Sequence, residues 1–288
     1  MTQSLESLHF AAAVLALALL EFYVRSCRRL GYDARALGGS IGVYVGQVLL
    51  NLPGFLVIGA IFVAAANLTP LHWPADDWRT WACGFLAVEL AYYWQHRMLH
   101  QIRWFWATHA VHHSTNELTL PAATRLGWAG WATGTFLPMV VPVLLGFPPL
   151  VVGTLLVLNL RYQFFLHTEL VGRLGVLEWV LNTPAHHRVH HSALPEHRNC
   201  NFGGVLIIFD RLFGTLRTHP DDAPLRYGRA TPLESSNPLV IATHEWRAIL
   251  RELRAAPDPG TRLAILFRPS TLEAETAPAR PAPMQQSA

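Results

Sequence analysis

Five apolar stretches recur along the chain, at about residues 8–25, 40–66, 79–95, 128–146 and 149–166. Each comes near the ~20 residues that a helix needs to cross the hydrocarbon core of a bilayer. Pro53 and Gly54 fall mid-way in the second stretch and are expected to kink or break it. The fourth and fifth are joined by the turn Gly146–Pro149, which predicts a helical hairpin. Between 170 and 270 the pattern is mixed, as in a soluble region. After Pro269 the chain turns to Ala, Pro, Glu and Gln, and 271–288 is expected to be a disordered tail. No internal repeat is visible. The pattern predicts an all-α integral membrane bundle of about four to five transmembrane helices, followed by a helical cap.

Composition supports the membrane reading. The chain is 51% hydrophobic and 14% charged, with a mean hydropathy of +0.25, against about 25% charged residues in soluble domains. No lysine occurs, so the positive charge is all arginine. The first apolar run has no basic start, and Arg25, Arg28 and Arg29 follow it, which reads as a retained helix and not a cleaved signal. Arginines also set an orientation. They are concentrated in 25–39, 96–125 and after 170, whereas 67–78 carries Asp76 and Asp77 and the turn at 146–149 carries no charge. Five spans make these loops alternate. The expected topology is therefore N-terminus outside and everything from 170 onward in the cytoplasm, with a bacterial inner membrane as the expected location. A net charge of +3 and the lack of a basic stripe with stacking aromatics exclude a nucleic-acid binder. Cys27, Cys83 and Cys200 are too few and too scattered for a disulfide framework or a cysteine-ligated zinc site.

The histidines change the picture. Ten of 15 lie in four places: His96 and His100; His109, His112 and His113; His167; and His186, His187, His190 and His191. Residues three or four apart share one helix face. Each box is therefore expected to present its rings together: His96 with His100, His109 with His112 and His113, His187 with His190 and His191. Neutral imidazoles converging at a membrane edge point to metal, since unpaired polar groups are costly there. Iron, zinc, copper and nickel all suit such ligands. Eight histidines in three boxes are too many for one ion, so two ions are expected, with His167 and His186 as further ligands. Diiron sites in soluble bundles use Glu and Glu-x-x-His ligands, a pattern missing here. Glu89, Glu117 and Glu169 are expected instead to orient histidine rings. No catalytic side chain beyond the ligands stands out. Asp210 is expected to pair with Arg188 or Arg211. Trp94, Trp104, Phe105, Trp106, Phe164 and Phe165 are expected to line an apolar approach to the metals or to form an interfacial belt.

These residues resemble the fatty acid hydroxylase superfamily, which includes the sterol desaturases. The resemblance runs from about Glu89 to Thr215. It is carried by Tyr93-Trp-Gln-His96-Arg-Met-Leu-His100, Trp106-Ala-Thr-His109-Ala-Val-His112-His113-Ser, Thr124-Arg125, His167-Thr-Glu169, Thr183-Pro-Ala-His186-His187-Arg-Val-His190-His191, Asn201-Phe-Gly-Gly204 and Phe209-Asp210-Arg-Leu-Phe-Gly-Thr215. The His167 segment and the Thr-Pro-x-His-His run are most similar to the alkylglycerol monooxygenase-like branch. The resemblance implies that residues 79–216 form the catalytic domain, flanked by N-terminal membrane helices at 1–78 and a cytoplasmic region at 217–270. It implies a membrane enzyme holding two iron ions (Fe2+/Fe3+) on His96, His100, His109, His112, His113, His187, His190 and His191. Such an enzyme uses O2 to hydroxylate or desaturate a bilayer lipid of sterol, fatty-acyl or ether-lipid type. Electrons then come from a separate donor protein or from tetrahydrobiopterin. Many relatives place a histidine soon after the arginine matching Arg125, where this chain has Leu126, Gly127 and Trp128. A membrane zinc hydrolase and a metal-binding or transport protein built on the same cage are the competing readings.

Overall fold

The computed structural model describes residues 2–220, 223–229 and 231–270; the tail expected at 271–288 lies outside the described residues. Among those residues the chain is all-α, with three isolated bridges (Ile102 with Pro269, Leu181 with Leu206, Ser192 with Tyr227) in place of a sheet. The long elements are α1 (Thr2–Cys27), α2 (Ala34–Leu68), α3 (Trp78–Gln101) and α5 (Pro149–Phe164). The cap holds α4 (Arg103–His109), α6 (Pro184–His190), α7 (Ile208–Leu212), α8 (Pro238–Ala255) and α9 (Pro259–Phe267). Asp33 caps α2 and Asp77 caps α3, each side chain accepting from an arginine amide two residues on. Pro149 at the first turn of α5 and Pro184 at the first turn of α6 are in the position where a missing N–H costs nothing.

Two of the expected spans come out differently. The stretch 128–146 is not one helix but three short pieces, Gly130–Thr133, Leu137–Met139 and Val140–Leu144. Pro138 and Pro142 each remove a backbone donor there, and Gly134 takes a left-handed φ of 80°. The pieces lie against α2, which runs through Pro53 without a break. Gly54 makes the contact possible, because a Cβ there would come within 2.6 Å of the Trp131 ring, and Trp128 Nε1 donates to the Val43 carbonyl of the same helix at 2.9 Å. Among the described residues, α2 alone is long and apolar enough to cross a membrane by the joint test of length and composition.

The main apolar core packs α2, α3, the broken stretch and α5 together, through Phe62, Val88, Tyr92, Met139, Phe147 and Leu155. Leu49, Leu52, Phe55 and Leu56 on α2 face outward. The connections separate to two ends. At one end Trp73 stacks on Phe147 and donates its amide to Gly146 O at 3.1 Å, joining the α2–α3 loop to the 146–149 turn. At the other, Arg25 pairs with Glu169 at 2.9 Å, the Asp33 amide donates to Glu117 at 3.2 Å, and Arg125 reaches Ala36 O and Ser40 Oγ, both at 2.8 Å. The histidines lie at this second end.

Candidate metal centre

Nine of the ten singled-out histidines converge into two groups. One holds His96, His100, His109, His113 and His190; the other holds His112, His167, His187 and His191. Within each group the ligating nitrogens lie within 4.8 Å of one another. The boxes do not each present a single face. His109 and His113 share a group while His112 joins the other; His187 and His191 share a group while His190 joins the first. Spacing of four keeps rings together, and adjacent residues, about 100° apart on a helix, are divided between sites. The chain past α4 tightens into a 3-10 turn at His112–Ser114, which turns His112 further from His109. The groups touch where the His113 and His191 rings stack, with centroids 4.3 Å apart. His186 belongs to neither group. It is buried on the other side of α6, beside a cavity of about 360 Å³ shared with Arg173, Glu178 and His219.

Backbone carbonyls orient four of the rings. Nδ1 of His96 bonds Phe202 O at 2.9 Å, His112 Arg125 O at 3.2 Å, His167 Gln163 O at 2.8 Å and His190 Cys200 O at 2.8 Å. A carbonyl only accepts, so each Nδ1 carries the proton and each Nε2 is left with a lone pair. His112 Nε2 and His167 Nε2 then face each other at 3.1 Å with no hydrogen between them. His190 Nε2 is buried with no hydrogen-bond partner among the described residues, as is His100 Nε2. Two opposed lone pairs at contact distance are repulsive unless a cation sits beside both, so the donor set fits a metal.

The closest contacts between ring nitrogens run from 3.0 to 3.2 Å in both groups. Five donors in one group exceed a tetrahedral set. Neither group contains a carboxylate. Burial among other imidazoles holds His109, His112, His113, His187 and His191 well below the ordinary histidine range, and burial pushes His190 down to about 4. At neutral pH these rings are therefore uncharged, each with one nitrogen lone pair available to a metal.

The acidic residues do other work than that expected. Glu89 accepts from Asn159 Nδ2 at 2.5 Å and from the Val205 and Leu206 amides at 2.8 and 2.9 Å, so it ties the 205–206 loop to α3. Glu117 and Glu169 bond the α1–α2 connection and Arg25. None of the three bonds a histidine ring. Asp210 pairs with neither Arg188 nor Arg211. Buried and with its carboxyl pushed up by that burial, it accepts from the Phe202 and Gly203 amides at 2.8 and 2.7 Å and from Thr215 Oγ1 at 2.6 Å. The loop it fixes supplies the carbonyl that holds His96. Asn201, at φ 55°, donates to His186 O and Arg217 O and accepts from the Arg217 amide, which anchors the same loop beneath α6. Gly204 is required next to it, because a Cβ would meet Asn159 Nδ2 at 2.0 Å. Of the expected aromatic walls, Trp106 packs on His100 and His113, with centroids 5.3 and 5.5 Å away; Trp104 instead meets Trp246, and Phe165 meets Phe10. A mouth of about 100 Å³ opens onto His100, Trp106, His113 and His190.

Residues 81–215 match the family described as Fatty acid hydroxylase. That segment is a member of the family. All nine converging histidines lie inside the matched segment. The chain is 36% identical over 206 residues to alkylglycerol monooxygenase of Xenopus tropicalis, covering 70% of this chain and 44% of that protein. It is 30% identical over 168 residues to ornithine lipid hydroxylase OlsE of Rhizobium tropici (57% of this chain, 50% of that protein) and 30% identical over 143 residues to human cholesterol 25-hydroxylase (46% and 49%). It thus spans less than half the length of the alkylglycerol monooxygenases it matches. No solved structure matches it.

Proposed function

We propose that the protein is a membrane-bound non-haem diiron oxygenase that hydroxylates a bilayer lipid. The observation that carries this is the opposed, proton-free Nε2 atoms of His112 and His167 within a cage of nine imidazoles, eight of them buried and His109 half-buried. One iron is held by His96, His100, His109, His113 and His190, the other by His112, His167, His187 and His191. His186 is left out of the ligand set. Five donors in one group exceed a tetrahedral zinc set and favour iron. A zinc hydrolase would need a general base beside its metal, and neither group offers a carboxylate.

When bound, the irons supply the activation of O2 that an unactivated C–H bond requires, chemistry beyond side-chain acids and bases. One oxygen atom enters the substrate as hydroxyl and the other leaves as water, with two electrons from a separate protein donor or tetrahydrobiopterin and two protons from that reductant or from solvent. The chain's own residues keep nine imidazoles neutral, aim four of them through carbonyls, and enclose the site. The relatives' names direct the substrate to a polar-headed or ring lipid, and an ether lipid is the first to try. The separation of connections to two ends, with Trp73 and Phe147 at one and Arg25 and Arg125 at the other, supports a multi-pass arrangement with the metals at the cytoplasmic face.

The test is metal content by mass spectrometry with O2 consumption on detergent-purified protein, wild type beside His112→Ala. About two irons per chain in the wild type, with a sharp fall in the variant, is the expected result. Zinc that survives the substitution would overturn the reading.

A further inference from the structure

The chain after α5 carries large apolar side chains that no described residue covers. Val176 is 80% exposed and Trp179 67%, on the short turn Gly175–Trp179. Leu212 at the end of α7 is 71% exposed, with Phe213 exposed beside it. These belong to one surface. Arg211 lies over the Trp179 ring at 4.7 Å and donates to the Trp179 and Glu178 carbonyls, which joins the turn to α7. Phe213 meets Trp94 of α3 at 5.2 Å. Trp94 continues the outward face of α3 through Leu90 and Leu86, four and eight residues back, both exposed.

Among the described residues, the exposed charges on this surface have one sign. Arg211 and Arg217 are exposed at the rim, while Arg97 lies over Trp94 at 5.3 Å and turns inward to donate to the Tyr93 hydroxyl at 3.1 Å. The two acids nearby, Glu178 and Asp210, are buried and engaged, Glu178 by the Leu174 amide and Asp210 by Phe202 and Gly203. Apolar rings with guanidinium groups over their faces suit the boundary between acyl chains and headgroups, where an arginine stem lies on apolar surface and its head reaches phosphate.

We propose that Trp94, Val176, Trp179, Leu212 and Phe213 form a collar that seats the cap in the headgroup region of an anionic leaflet, with Arg211 and Arg217 on lipid phosphates. The proposal rests on the reading that α3 spans the bilayer. It reaches beyond the metal site, because the collar fixes the height of the cap above the membrane independently of the spans. It is an anchor and not the substrate's entry: behind it Tyr93 and Phe202 are fully buried and close the way to His96.

The experiment uses the full chain with Cys27→Ser and Cys83→Ser, Cys200 being buried, and an environment-sensitive fluorophore on Val176→Cys. The protein is reconstituted in nanodiscs of phosphatidylcholine with phosphatidylglycerol, with and without lipids brominated near the headgroup. A blue-shifted emission that brominated lipid lowers to about half or less is expected, while the same label on Glu196→Cys, exposed elsewhere on the cap, stays unquenched. Arg211→Glu, or nanodiscs of phosphatidylcholine alone, weakens the quenching. A water-like, unquenched emission at 176 overturns the collar. A shielded, unquenched label in a chain that crosslinks as a dimer also overturns it and assigns the surface to a second copy. Iron measured on the same preparation separates the two readings: full iron with a water-exposed label sinks the collar alone, and a quenched label without iron sinks the diiron reading alone.

Discussion

At the scale of single residues, the metal centre depends on which ring nitrogen carries the proton, and backbone carbonyls decide that for four rings. His186→Ala is expected to keep wild-type iron, because its ring faces away from both groups, whereas His113→Ala and His191→Ala each lose metal; mass spectrometry of the three variants checks this directly. Asp210 tests the support beneath His96. Asp210→Asn puts an amide N–H where two backbone N–H groups need acceptors, and should destabilise by about 1–3 kcal/mol, read as a lower melting temperature with iron loss following. The pH dependence has a definite sign. In the folded chain His109, His112, His113, His187, His190 and His191 lie below the ordinary value near 6.5, so the unfolded chain binds protons that the folded chain refuses. Stability is therefore full above about 6.5 and falls as pH drops toward the value of about 4 at His190. Metal should leave over the same window, and a melting temperature flat from pH 7.5 to 4.5 would contradict buried neutral rings.

At the scale of elements, the boxes were legible in the sequence as clusters but not as sites. Spacing by four gives the pairs 96 and 100, 109 and 113, and 187 and 191 correctly. It cannot say that His112 parts from His113, because that follows from the turn after α4 and from where α6 lies. The acids near the boxes looked like ring partners because they are close in sequence; the chain folds them toward amides, the α1–α2 connection and Arg25. The broken fourth stretch has the same origin. Its apolar count suits a span, but Pro138 and Pro142 interrupt it and Trp131 needs the groove at Gly54. Gly54→Leu should cost about 1–3 kcal/mol by overpacking, measured as a lowered melting temperature in detergent. The two disagreements point to one cause, that composition counts apolar residues without saying what they pack against.

At the scale of the molecule, two ends are built differently. One carries Asp76 and Asp77 and is closed by Trp73 on Phe147; the other gathers arginines, ion pairs and the nine histidines. Single cysteines placed at 28 and at 72 should therefore label from opposite sides of sealed vesicles, and labelling of both from one side would break the proposed topology.

The sequence by itself determined that the protein is helical, apolar enough for a membrane, rich in imidazole at helical spacing, and a fatty acid hydroxylase relative, because composition, period and motif are local properties of the chain. Only the tertiary structure decided that the clustered imidazoles divide five and four, that His167 joins them while His186 lies apart, and that carbonyls and not carboxylates set the tautomers. Those outcomes depend on the directions of side chains more than fifty residues apart, such as His112 and His167, and direction between distant segments is fixed by packing.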